Sequence, residues 1–266
     1  MWLLVMCMGV AVGQQVVVGI PTVTRQGATY LDDIVRSVFT YVRADSLIVL
    51  VYAADGSVVN VTGVRVVGPA PRVFSAALDD VCSLKQNFGD SPSRVVWRSR
   101  LVMNAAYLLR AMLKIPADIY VRLEDDTLIT GPVKFNGTDP VATFYHKRTT
   151  AKNVFLIAAT GLAFNRAYAR GLSRFLFQWF DEAPLDWLIN VYLTAKCRCD
   201  YILNDNCVRF MGVLSTHAGK QSSKLGLVDD TVGKWTSVCP GYKYKPPIVR
   251  TEKDLHVKHL GLFVCD

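Results

Sequence analysis

Glu124, Asp125 and Asp126 stand in a row directly after the apolar run Ile119–Leu123 (IYVRL). Three carboxylates this close repel one another unless a cation or hydrogen-bond donors compensate, so the run is either an exposed acidic turn or a site that takes something positive. Hard oxygen ligands favour Mg²⁺ or Mn²⁺. One carboxylate joined by a histidine, with positions left open, suits an ion that also grips a diphosphate. The location, straight after a buried strand, favours a metal or nucleotide-diphosphate enzyme over the exposed turn. Two further polar stretches follow strand-like runs in the same way, Pro21-Thr22-Val23-Thr24-Arg25 and Asp55, and Asp186 lies just past Pro184 inside the apolar, aromatic segment Phe175 to Leu193.

These groups need a scaffold, and the chain alternates the elements of one. Gln15 to Ile20 is a β-branched run ending at Pro21, where a tight loop is expected. Tyr30, Ile34, Val38 and Val42 recur at four-residue steps with Asp32, Asp33, Arg36 and Arg43 on other faces, which predicts a helix covering a sheet. Ser46 to Ala54 is continuously apolar, as a strand buried on both faces requires. Val64 to Val67 is a further short strand. Ser91 as N-cap and Pro92 at the first helical position announce a long helix, with Trp97, Leu101, Ala105, Leu108 and Met112 as its expected buried stripe and Pro116 beyond its end. Ile119 to Leu123 is the next strand. Strands alternating with helices predict an α/β fold with a mainly parallel central sheet flanked by helices, in which ligands gather beyond the carboxyl ends of the strands. All three polar stretches sit at such ends.

Composition removes several classes. Of 266 residues, 51% are hydrophobic and 20% charged, enough for a full core. No run approaches the about 20 apolar residues of a membrane-spanning helix, and no repeat of collagen, heptad or solenoid type is visible. Lysine and arginine number 30 against 22 acids, a net charge of +8 that suits a polyanion. The basic residues are scattered rather than striped along one helix, which disfavours nucleic acid. The four histidines are too few to favour a metal-dependent phosphohydrolase. Met1 to Val12 has the length of a signal-peptide core with small residues at Ala11 and Gly13, although no basic residues precede it; the alternative is a buried first strand. Residues 1–13 are therefore expected to be a signal, 14–233 a single domain and 234–266 a tail without periodicity. Two sequons, at Asn60 and Asn136, fit a lumenal chain. Of seven cysteines, Cys7 would leave with the signal and six could pair in an oxidising lumen. A local disulfide from Cys207 to Cys197 or Cys199 is expected; a zinc site using His217 would have an unfamiliar spacing.

Five stretches carry a resemblance: VGIPTVTRQGATYL (Val18 to Leu31), FGDSPSRVVWRSR (Phe88 to Arg100), LEDD (Leu123 to Asp126), PLDWL (Pro184 to Leu188) and THAGKQSS (Thr216 to Ser223). In this order and spacing, from about Val16 to Leu227, the chain resembles the catalytic domain of the alpha-1,3-mannosyl-glycoprotein 4-beta-N-acetylglucosaminyltransferases, the N-acetylglucosaminyltransferase IV family. The resemblance implies a GT-A type nucleotide-sugar-binding fold and an inverting, metal-dependent transfer of N-acetylglucosamine from UDP-GlcNAc. The acceptor would be the 4-hydroxyl of the α1,3-linked mannose of an N-glycan, with Mn²⁺ (or Mg²⁺) as cofactor, in the Golgi lumen or secreted. It assigns Asp126 as metal ligand, with His217 completing the metal or phosphate shell, unless that histidine is merely hydrogen-bonded. Glu124 and Asp125 would contact ribose or order the loop. Pro21, Thr22, Arg25 and Asp55 would line the donor side, and Arg98 and Arg100 would add positive charge near the diphosphate unless they are solvated face residues.

Inversion needs a base on the acceptor side, and Asp186 is the expected catalytic residue, desolvated beside Trp187; as the alternative it is a helix N-cap. The chain also departs from the family pattern. Gln221 replaces a second histidine, Asn104 replaces an aspartate on the long helix, and Val154 to Ala159 is apolar where a glutamate is expected. A catalytically inactive, lectin-like binder of nucleotide sugar or glycan is therefore the rival expectation. The partners expected are a UDP-sugar and a glycoprotein N-glycan, without nucleic acid.

Overall fold

The structure is a computed structural model and describes residues 13–24, 30–68, 90–133, 135, 141–144, 146–149, 154–157, 160–195, 201–203 and 207–211. The chain enters through β1 (Gln15–Thr22), α1 (Leu31–Tyr41), β2 (Ser46–Ala53) and β3 (Val64–Val67). The long helix α2 (Pro92–Met112) leads to β4 (Ile119–Leu123), the acid turn and β5 (Thr127–Ile129). The short strands β6 (Val141–Thr143), β7 (His146–Thr149) and β8 (Val154–Ile157) come next. Strand β9 (Gly161–Asn165), helices α3 (Arg166–Trp179) and α4 (Leu185–Ala195), and strands β10 (Tyr201–Leu203) and β11 (Val208–Phe210) complete the described elements.

One sheet runs in the order β10-β6-β9-β4-β1-β2-β3. Six of its strands point the same way and β9 alone opposes its neighbours β4 and β6. The fold is thus α/β with a mostly parallel sheet, as expected, and β1, β2 and β4 deliver their carboxyl ends to one edge. Two small antiparallel pairs lie outside it, β5 with β11 and β7 with β8.

Alternation along the strands divides the core. Val16, Val18 and Ile20 face α1 with its buried Ile34, Val35 and Val38. Val17, Leu50, Tyr52 and Tyr120 face the layer of α2, α3 and α4. Both faces are covered, which is why these strands read as unbroken apolar runs. Acids Asp32 and Asp33 occupy the first turn of α1, where the helix dipole favours them. Ser37, buried in α1, accepts a hydrogen bond from Ile129 N at 3.1 Å and so pins β5, the strand that leaves the acid turn.

Three local expectations need correcting. β1 continues past Ile20, because Pro21 and Thr22 still pair with Tyr52 and Ala53 although proline donates nothing. Ser91 stands at the N-cap of α2 but makes no side-chain cap; its hydroxyl lies 3.2 Å from that of Ser93. Of the expected stripe Ala105, Leu108 and Met112 are buried, but the buried face also takes in Val95, Arg98, Ser99, Val102, Met103, Ala106 and Leu109, whereas Trp97 and Leu101 lie half-buried at its margin. A stripe chosen by apolarity alone skips Arg98, the residue around which the real face turns.

The expected signal and the tail lie outside the described residues, apart from Gly13. Among the described residues no helix is long and apolar enough to cross a membrane. Asn60 of the first sequon is exposed, and Asn136 is outside the described residues.

Candidate functional site

The carboxyl ends of β1, β2 and β4 meet at one edge of the sheet. Thr22 at the end of β1 donates from Oγ1 to Oδ2 of Asp125 at 3.2 Å, so the loop after the first strand and the acid turn are in direct contact. Asp55, after β2, accepts Thr24 N on Oδ2 at 2.7 Å and Ser57 N on Oδ1 at 3.1 Å. Burial works to raise its pKa, but these bonds outweigh it and hold the carboxyl at about 2. Asp55 is therefore held as an anion down to low pH and ties the loop after β1 to the loop after β2. Pro21 is half-buried beside Thr22. Arg25 lies outside the described residues.

The acid turn itself is clamped at both ends. Glu124 N donates to Thr160 O at 3.2 Å, Thr127 N to Glu124 O at 3.2 Å, and Met211 N to Asp126 O at 2.7 Å. Glu124, Asp125 and Asp126 are each half-buried, which separates them from an exposed acidic turn. One cation that offsets part of this repulsion is present in the chain. Arg122, 1% exposed on β4, places Nη2 3.7 Å from Glu124 Oε1. Although 29% of the Glu124 side chain reaches solvent, its carboxyl is ringed by protein. That burial, with the charges of Asp126, Asp186 and Asp125 and against the pull of Arg122, pushes its pKa up to about 7. Sequence reasoning missed Arg122. The signal was there: a lone charge in an apolar strand, two residues before Glu124 and hence on the same face.

Asp186 arrives from the far side. Pro184 ends the preceding segment and its carbonyl accepts Leu188 N at 3.0 Å, so α4 starts at Leu185 with Asp186 in its first turn. Asp186 is not the N-cap and is not desolvated: it is exposed, because Leu185, Leu188, Ile189 and Tyr192 take the inward face and Asp186 falls on the outward one. Its charge is nevertheless felt at Glu124, so the start of α4 faces the acid turn. Trp187 is half-buried against the core layer of α2 and α3. Asp181 and Glu182, in the turn that precedes α4, are both buried, and their sequence context gave no hint of it.

The two arginines expected near the diphosphate are separated. Arg98 is buried, with Nε 3.4 Å from Asp90 Oδ2, while Arg94 holds the other oxygen of Asp90 at 2.8 Å. Arg100 is exposed, as two residues along a helix must differ by more than half a turn. Asn104 accepts a long hydrogen bond, 3.4 Å, from the hydroxyl of buried Tyr52 near the end of β2. The strand Val154–Ile157 is present as β8. His217, Gln221, Cys197 and Cys199 lie outside the described residues, and Cys207 is buried.

Among the described residues no group of three or more His, Cys, Asp or Glu could hold a metal ion. The donor set at the turn is nonetheless of the right kind for a hard cation, with half-buried carboxylates at the end of a strand. Met211, bonded to Asp126, begins the stretch that leads within six residues to His217.

No protein-family model matches the sequence. Curated relatives do. The chain is 25% identical to alpha-1,3-mannosyl-glycoprotein 4-beta-N-acetylglucosaminyltransferase A of Gallus gallus over 254 residues, covering 84% of this chain and 46% of the relative. The same protein of Bos taurus is 25% identical over 252 residues with the same coverage. The B form of Homo sapiens is 25% identical over 248 residues, covering 81% of this chain and 44% of the relative. The chain thus spans about half the length of the curated relatives it matches.

Proposed function

We propose that this chain, a relative of the alpha-1,3-mannosyl-glycoprotein 4-beta-N-acetylglucosaminyltransferases, is an inverting, metal-dependent transferase with a GT-A type fold. It would move N-acetylglucosamine from UDP-GlcNAc to a mannose hydroxyl of an N-glycan, the 4-position on the α1,3 arm. One observation carries this reading: half-buried Glu124, Asp125 and Asp126, the Thr22 end of β1 and the Asp186 end of α4 gather at the carboxyl edge of a mostly parallel sheet. Nucleotides bind at such an edge.

The roles divide by position. Pro21, Thr22 and the loop tied down by Asp55 form the donor wall, and Glu124 and Asp125 contact ribose or order that wall. Asp126 and His217 would hold the Mn²⁺ or Mg²⁺, which when bound neutralises charge building on the departing UDP. Asp186, exposed at the mouth, takes the proton of the attacking hydroxyl while the new bond forms and UDP leaves from the opposite side. Its exposure suits an acceptor as large as a glycoprotein glycan. The setting would be the lumen of the secretory pathway, or the medium outside the cell.

The rival, donor binding without turnover, draws on the same exposure, since Asp186 stands open to solvent rather than in the apolar setting expected of it. One assay separates the two. The purified chain is incubated with Mn²⁺, UDP-GlcNAc and a biantennary core glycan, and the added sugar is located by mass spectrometry. Asp126→Ala is expected to lose transfer and UDP affinity together, Asp186→Ala to lose transfer with UDP affinity kept. Metal-dependent UDP binding with no sugar added would establish the rival, and full turnover by Asp186→Ala would overturn its role as base.

A further inference from the structure

We infer that Arg122 is a positioning residue of the donor site, holding the Glu124 carboxylate in place from beneath so that it acts on the nucleotide only through Glu124. The inference rests on the acid turn being the donor site. Arg122 sits in the middle of the sheet, in register with Gly19 of β1 on one side and Leu162 of β9 on the other, so its backbone cannot shift without moving both neighbours. Its side chain shares a sheet face with Tyr120, which packs into the layer of α2, α3 and α4, and only 1% of the residue is exposed. A guanidinium in that position does not touch a ligand outside. It keeps its charge under all ordinary conditions. The charges of three other carboxylates, Asp125, Asp126 and Asp186, are felt at Glu124. Against that repulsion, Arg122 Nη2 lies 3.7 Å from Glu124 Oε1. A carboxylate held from below by a fixed cation offers its other oxygen to the sheet edge. Without that cation it would swing away from its acidic neighbours.

The test is a double-mutant cycle read as the dissociation constant for UDP by calorimetry in saturating Mn²⁺, using Arg122→Gln, Glu124→Gln and the pair together. Circular dichroism and gel filtration confirm that each variant is folded. If Arg122 works through Glu124, each single change weakens UDP about tenfold and the double change weakens it by about the same factor, far short of the product. Independent effects, multiplying to about a hundredfold, would overturn the inference. So would an Arg122→Gln protein that melts earlier but binds UDP as the wild type does, because that is a purely structural role. Should Arg122→Gln fail to fold, the cycle is run with Arg122→Lys, which keeps the charge but loses the planar fork; a loss of about threefold that vanishes in the Glu124→Gln background supports the inference, and an unchanged loss refutes it. A wild-type chain that binds no UDP would remove the donor-site reading itself, which is a different outcome from additivity in a chain that binds.

Discussion

Gly19→Ala tests the packing on which the site's geometry depends. Gly19 lies in β1 three residues before Thr22, and a Cβ added there would stand 2.9 Å from Leu108 Cδ1, 3.1 Å from Met112 Cε and closer still to Met112 Sδ. Carbon atoms rest at about 3.5–4.0 Å, so both side chains must retreat by more than half an ångström. Both are fully buried in the cluster formed by α2 with the sheet, so any retreat must displace packed neighbours. Overpacking of this kind costs about 1–3 kcal/mol, against which the stiffer unfolded chain returns about 0.4–1 kcal/mol. A net loss of about 1–2 kcal/mol should appear as a lower urea midpoint at unchanged slope. The companion variant is Met112→Ala. Alone it leaves a cavity and costs about 2–5 kcal/mol, but in the Gly19→Ala chain it should cost less, since the new methyl fills part of that space. Gly19→Ala as stable as the wild type, or no coupling with Met112→Ala, would refute the close contact between β1 and α2.

Three further outcomes follow from the same edge of the sheet. Thr22→Val keeps the shape of the side chain but removes the donor to Asp125, and UDP should bind about threefold to tenfold more weakly, at a cost of about 1 kcal/mol, with the melting temperature little changed. Asp55 has a folded pKa near 2, below its ordinary 3.8, so it contributes stability that is complete above about pH 4 and lost as pH falls toward 2. Urea titrations of Asp55→Asn should lack that acid limb, an effect under about 1 kcal/mol because the group is exposed. Glu124 is shifted the other way: the unfolded chain releases its proton near 4.5 while the folded one keeps it to about 7. Stability is therefore lost as pH rises between those values, and melting curves in chelator should show that slope in the wild type and not in Glu124→Gln.

The first half of the sheet was legible because its signals are long. β1, β2 and β4 are apolar runs buried on both faces, and α1 shows Ile34 and Val38 at helical spacing above Asp32 and Asp33. The far side was not, because β6 and β10 are three residues each and carry no period, and nothing local in Gly161–Asn165 states that β9 runs against its neighbours. Helix phase accounts for the rest. The average apolarity around Asp186 predicts burial, but a helix sorts residues by angle, and position 186 points outward while 185, 188 and 189 point in. The opposite error hid Arg122, whose charge made it look external, and it also sinks the solvated-face alternative for Arg98, since both are among the most deeply buried side chains.

Arg122 also changes what the acid run implies. From the sequence, three adjacent carboxylates demand an external cation; in the fold, one cation is built in and offsets part of that cost, although burial and the neighbouring acids still push Glu124 up to about 7. Which acid a cation would take depends on how the three are divided. Successive residues of a turn point in different directions, and here each is committed differently. Glu124 answers to Arg122 below, Asp125 receives Thr22 from β1, and Asp126 is tied through its carbonyl to Met211, on the way to His217. In the proposed site the third is the acid linked, through Met211, to the sequence that runs on to His217. If the three acids were interchangeable charge, substituting any one by its amide would weaken Mn²⁺-dependent UDP binding equally. The division of contacts requires that Asp126→Asn alone abolish the metal dependence, while Glu124→Gln and Asp125→Asn weaken UDP to a similar degree with or without Mn²⁺.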